Sequence, residues 1–95
     1  MTVSENSSSL HQDYHSFRRT RAYTVLCEHL VAARRAAGLT QGEVARRLGR
    51  PQPFVAKYEI GERRLDVVEL LQILRVLGVE SRRLITAVEK AISPG

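Results

Sequence analysis

Apolar residues along this chain recur at intervals of three and four, the spacing that puts side chains on one face of a helix. Five helices and no strands are expected. In the first, from about Thr20 to Ala37, the residues Tyr23, Leu26, Leu30, Ala33 and Ala37 form one narrow stripe. Cys27 and Arg34 stand at its edge, and Gly38 closes the helix. Thr40 followed by Glu43 has the spacing of a capping box and opens a second helix, Gln41 to Leu48. Its core positions are Val44 and Leu48, with Glu43, Arg46 and Arg47 outside. Pro51 and Pro53 suit the first turn of a third helix, which runs to about Glu59 with Val55 and Tyr58 inward, and Gly61 ends it. After the basic loop GERRL, Asp66 caps a fourth helix reaching Leu77, with Val67, Leu70, Leu71, Leu74 and Leu77 as its core face. Ser81 is expected to cap the fifth helix, to about Ile92, on which Leu84, Ile85, Val88 and Ile92 are apolar.

The stretch 41–60, QGEVARRLGRPQPFVAKYEI, carries the most information. Two short helices crossing steeply need a small residue at the crossing, and Ala45 supplies it. The tight turn between them needs one residue at positive φ, which Gly49 adopts without a Cβ clash. With Val44, Leu48, Val55 and Tyr58 in phase, the spacing is that of a helix-turn-helix.

The chain has 95 residues, enough for one domain with one core. Residues 16–95 are assigned to that domain. Residues 1–15, rich in serine, read as a flexible tail too polar to offset its own ordering entropy. Fifteen Lys and Arg against ten Asp and Glu give a net charge of +5, which favours an anionic partner. Cys27 is the single cysteine, so no intramolecular disulfide can form, consistent with a reducing cytoplasm. No apolar run reaches the length of a membrane span. His11 and His15 lie four apart, but no third strong ligand is near them, and no metal or other cofactor is expected. No phosphate-binding loop, nucleophile elbow or zinc spacing points to an enzyme.

The segments ARRAAGLTQGEVARRLG and KYEIGER, with the leucine-rich fourth helix ending LGV, resemble the Xre-type helix-turn-helix family that includes the lambdoid phage repressors and Cro. The resemblance covers about Leu30 to Val79. It implies an all-α, five-helix lambda-repressor-like fold and a cytoplasmic, sequence-specific regulator of transcription that binds double-stranded DNA. The third helix would enter the major groove. On it, Gln52, Pro53, Phe54 and Lys57 are the expected base contacts. Pro53 replaces the usual polar residue and is expected to make shape contacts. Gln41 resembles the family glutamine that touches phosphate and supports the one facing it, here Gln52. Arg50, Arg63 and Arg64 are the further phosphate contacts, and Arg34 and Glu59 match a buried ion pair. Family members usually bind pseudo-palindromes as dimers, and the helix 81–92, through Val88 and Ile92, is the expected interface unless both belong to the core. Two other readings stand beside the repressor. One is an antitoxin that grips a toxin and represses its own operon. The other is a protein-interaction module.

Overall fold

The computed structural model describes residues 20–92; the expected tail, His11 and His15 lie outside them. Five helices make up the described chain: α1, Arg21–Ala36; α2, Gln41–Leu48; α3, Gln52–Glu59; α4, Val67–Leu77; and α5, Ser81–Ala91. No strand occurs among the described residues.

Local chemistry fixes the helix ends. Thr20 caps α1, its hydroxyl accepting from the Tyr23 amide at 3.2 Å. At α2 both halves of a capping box form: Glu43 N–H donates to Thr40 Oγ1 at 3.0 Å, and Thr40 N–H donates to Glu43 Oε1 at 2.8 Å. The same device opens α4, with Asp66 and Glu69 exchanging bonds at 2.7 and 3.0 Å. Between α2 and α3 the chain reverses at Gly49, φ +70°, and the Arg50 amide bonds back to the Ala45 carbonyl at 2.9 Å.

The core is a single cluster: Leu30 of α1, Val44 and Ala45 of α2, Val55 and Tyr58 of α3, Ile73, Leu74 and Leu77 of α4, and Leu84 of α5. Burial of these side chains, each contributing about 1.5–3 kcal/mol for the larger aliphatics, holds the short helices in place. Neither α2 nor α3, at eight residues, is long enough to be stable alone. The start of α1 lies beside the end of α5, and the end of α1 beside the start of α5, so the two run antiparallel.

Several expected core positions are placed differently. On α4 the inward stripe is Leu70, Ile73, Leu74 and Leu77, which is rotated from the expected face. Val67, 71% exposed, and Leu71, 46% exposed, face outward, while Ile73 is fully buried. A leucine- and valine-rich helix offers two overlapping stripes, and only the packing of α2 and α1 selects one. Cys27, at the edge of the α1 stripe and expected as a small buried group, is buried as expected, and its thiol donates to the Tyr58 carbonyl at 3.4 Å. Ala37 lies past the last turn of α1 and is exposed. Ser81 is the first residue of α5, after Glu80, and makes no cap bond. On α5, Leu84 is buried and Val88 packs against the core, whereas Ile85 and Ile92 are exposed.

Candidate nucleic-acid interface

α3 is held by one face and free on the other. Val55, Tyr58 and Glu59 are buried. Gln52, Pro53 and Lys57 are exposed together on the opposite side, and Ala56 is half-buried. Pro51 and Pro53 remove two amide donors from the first turn, and the Phe54 amide is spent on the Pro51 carbonyl at 3.0 Å. An anion at this end of α3 therefore finds side chains rather than a row of backbone donors. Chemistry on the exposed face rests on Gln52 and Lys57.

A polar relay runs from α1 to the start of α3. Arg34 Nε donates to Glu59 Oε2 at 2.7 Å, and Nη2 to Oε1 at 3.2 Å. The two-pronged geometry fits a planar guanidinium against a carboxylate. Arg34 Nη1 also donates to the Leu39 carbonyl at 3.0 Å, fixing the loop before α2. Glu59 Oε1 accepts a further bond from Gln41 Nε2 at 2.8 Å, and Gln41 Oε1 accepts from Gln52 Nε2 at 2.9 Å. Glu59 and Arg34 side chains are 5% and 13% exposed, so this pair is largely out of water. Hydrogen bonding to Glu59 raises the Arg34 pKa and keeps the guanidinium charged. The last residue of α3 thus anchors the helix to α1 and, through Gln41, orients the side chain at its first residue.

A second cluster flanks α3. Arg50 Nη2 donates to Glu69 Oε2 at 2.9 Å. Arg63 donates from Nη2 to the same oxygen at 2.7 Å and from Nη1 to Oε1 at 3.0 Å. Arg63 also bonds the Arg64 carbonyl. Two guanidinium groups share one carboxylate, which leaves the cluster with a net positive charge. The Arg63 side chain, then the Asp66 amide, hold the Glu69 carboxyl below the usual range. Between them sits Phe54. The Arg50 Cζ lies 4.0 Å and the Arg63 Cζ 5.2 Å from its ring centroid, and the ring meets Tyr58 edge-on at 5.4 Å. Phe54 is therefore half-buried toward α4, apart from the exposed trio of Gln52, Pro53 and Lys57. An aromatic ring at this position gains more from the cations and Tyr58 than from water. Arg64 is half-buried, its guanidinium 4.4 Å from the Tyr23 ring centroid on α1.

Of the expected site residues, the structure brings Arg34, Glu59, Gln41 and Gln52 into one chain of bonds. It gathers Arg50, Arg63 and Phe54 around Glu69 and sets Arg64 apart against α1. Glu69 was not among the expected site residues. Its signal was the Asp66-x-x-Glu69 spacing, the same capping-box pattern that marked Thr40 and Glu43. Among the described residues no group of His, Cys, Asp or Glu is arranged to hold a metal ion, and no helix is long and apolar enough to cross a membrane.

Residues 25–87 match the family pattern described as a helix-turn-helix domain. A solved structure described as an XRE-family like protein from Pseudomonas syringae pv. tomato str. DC3000 is similar at 42% identity. That match covers 88% of this chain and 98% of the other, with a TM-score of 0.71. No curated protein matches the sequence.

Proposed function

The chain belongs to the Xre-type family of helix-turn-helix domains and is a DNA-binding regulator, and on that premise we propose that it acts as a cytoplasmic, sequence-specific repressor that inserts α3 into the major groove. The reading rests chiefly on the hydrogen-bonded Gln41–Gln52 pair at the start of a helix whose far face is buried. The Gln52 amide nitrogen has two hydrogens, and Gln41 takes one. The other hydrogen and Gln52 Oε1 form the donor–acceptor pair that matches adenine N7 and N6 in the major groove. Lys57, exposed one turn further along α3, brings three donors suited to the O6 and N7 acceptors of guanine. Pro53 lies between them and contributes shape, with Phe54 at the edge of the reading surface.

Gln41, Arg50, Arg63 and Arg64 are the proposed phosphate contacts. Arg50 and Arg63 are oriented by Glu69 and Phe54, so they meet a phosphate with less ordering entropy to lose than a free arginine has. One module reads few base pairs. Two copies related by a two-fold axis, joined through α5 where Ile85 is exposed, would read half-sites about 34 Å apart. The role proposed for this surface is DNA recognition.

Selection from a random pool of duplexes at about 0.15 M salt, where weak surface attraction is screened, tests the proposal. The expected result is enrichment of one pseudo-palindrome with half-sites one helical turn apart. A pool that stays random through repeated rounds, with weak and equal binding to all duplexes, would count against sequence-specific repression.

A further inference from the structure

The start of α3 offers few backbone donors. Pro51 and Pro53 carry no N–H, the Phe54 amide bonds to the Pro51 carbonyl, and the Arg50 amide bonds to the Ala45 carbonyl. A phosphate beside this end of the helix has to be held by side chains. Two arginines flank Phe54 there, and their free donors differ. A guanidinium has five N–H groups. Arg63 gives two to Glu69 and one to the Arg64 carbonyl. Among the described residues Arg50 gives one, from Nη2 to Glu69 Oε2 at 2.9 Å. The rest of its donors are open, on a side chain that is 37% exposed. Arg50 also stands two residues before Gln52, next to the face that carries the groove-directed side chains.

Phe54, four residues on from Arg50, holds that guanidinium from one side, its ring centroid 4.0 Å from Cζ. The ring is itself braced. It meets Tyr58 edge-on at 5.4 Å, and Tyr58 is 1% exposed, so the ring cannot turn without disturbing the core. Glu69 holds the guanidinium at a second point, and this carboxylate is fixed in turn by Arg63 and by the Asp66 amide at 3.0 Å. The hollow that Arg50, Phe54 and Glu69 share with Leu48, Gln72 and Ile73 has a volume of about 50 Å³, little more than the roughly 30 Å³ share of one water. The three side chains have little room to repack.

We propose that Phe54 is a positioning residue for phosphate binding: its ring, backed by the Glu69 carboxylate, holds the Arg50 guanidinium ready for a DNA phosphate beside the start of α3, and the ring itself reads no base. The inference rests on the reading of α3 as the groove helix. It divides the labour on that helix. Gln52 and Lys57 discriminate between sequences, and the Arg50–Phe54 unit adds affinity common to all of them. Ordering a free arginine on binding is costly, and an arginine already held avoids that cost, which corresponds to about a 3- to 10-fold gain in affinity. A lysine at position 50 has no plane to lay on the ring.

The test is a double-mutant cycle in the full-length chain, read by fluorescence anisotropy on the selected duplex and on a scrambled one at about 0.15 M salt. Phe54→Leu should weaken both duplexes by about 3- to 10-fold and leave their ratio unchanged. In an Arg50→Ala background the same change should cost less than about twofold. Arg50→Ala alone should lower the salt slope by about 0.9, the release from one phosphate. Phe54→Tyr keeps the ring face and should bind like the wild type. A fall in the ratio on Phe54→Leu would make the ring a base contact and overturn the proposal. An equal loss in both backgrounds would reduce Phe54 to packing and overturn it as well. A readout without DNA accompanies the cycle: the Arg50 Nε–H resonance should be displaced by the ring current in the wild type and return to its ordinary position in Phe54→Leu, with far-UV circular dichroism still helical. An undisplaced resonance in the wild type would overturn the proposal whatever the duplexes do. The coupling can be read on any duplex, so a wild type that binds all sequences alike defeats sequence-specific repression and leaves this inference standing. No duplex binding at all would overturn both.

Discussion

Replacing Glu59 with glutamine tests the anchoring of α3. Glu59 accepts three bonds, two from Arg34 at 2.7 and 3.2 Å and one from Gln41 at 2.8 Å. Glu59→Gln keeps the shape and one acceptor oxygen, removes the charge, and leaves the mostly buried Arg34 guanidinium with neutral partners alone, that amide oxygen and the Leu39 carbonyl. Breaking a buried pair by removing one partner costs about 3–5 kcal/mol. Arg34 keeps some solvent contact and one good bond, so a loss of about 2–4 kcal/mol is expected here. For a domain of this size each kcal/mol shifts Tm by roughly 4–8 °C, so the melting temperature should fall by about 8–30 °C. Urea unfolding followed by circular dichroism gives the free energy directly. The double variant Arg34→Met/Glu59→Gln should lose less than the sum of the single variants, because no unpaired charge is left behind. A loss under about 1 kcal/mol, the value of an exposed pair, or strict additivity would refute the reasoning.

Three further outcomes follow from other contacts. Glu43 and Glu69 are both held below the usual carboxylate range, Glu43 chiefly by the Thr40 amide and Glu69 chiefly by Arg63. Their contribution is therefore complete above about pH 5 and lost as pH falls through the lowered folded values; a Tm series against pH should show this acid limb, shallower in Glu69→Gln. Gly49→Ala meets no neighbouring atom within 4 Å but sits at φ +70°, so calorimetry should find a backbone cost of about 1–2 kcal/mol and an intact fold. Burial raises the Cys27 pKa, so iodoacetamide should modify Cys27 slowly in the native protein and rapidly in denaturant; fast native labelling would contradict its placement beneath Tyr58.

Much of this arrangement was legible along the chain, for identifiable reasons. Capping residues act within three positions of each other, so Thr40–Glu43 and Asp66 marked helix starts without any tertiary knowledge. Gly49 is dictated by a local turn. The partners of Arg34 and Gln52 lie 25 and 11 residues away; the need of an arginine beside a buried stripe for an anion pointed to Glu59, and the family resemblance pointed to Gln41. What the residues alone did not reveal depends on packing. The stripe of α4 could be drawn through Val67 and Leu71 or through Ile73, and the docking of α1 and α2 decides it. Arg50, Arg63 and Phe54 read as exposed groups on three separate stretches until the fold brings Glu69 between the two arginines. Glu69 itself was overlooked because one carboxylate here serves as both cap and ion-pair partner.

The central claim is that the exposed face of α3 reads bases while the flanking arginines hold phosphates. The most direct test is fluorescence anisotropy of Lys57→Ala on the selected duplex and on a scrambled one, at about 0.15 M salt. The account predicts a loss of about 1–3 kcal/mol on the selected duplex alone, so that the affinity ratio between the two falls by roughly 5- to 150-fold. An equal loss on both duplexes would make Lys57 a phosphate contact and contradict the proposed orientation of α3 in the groove.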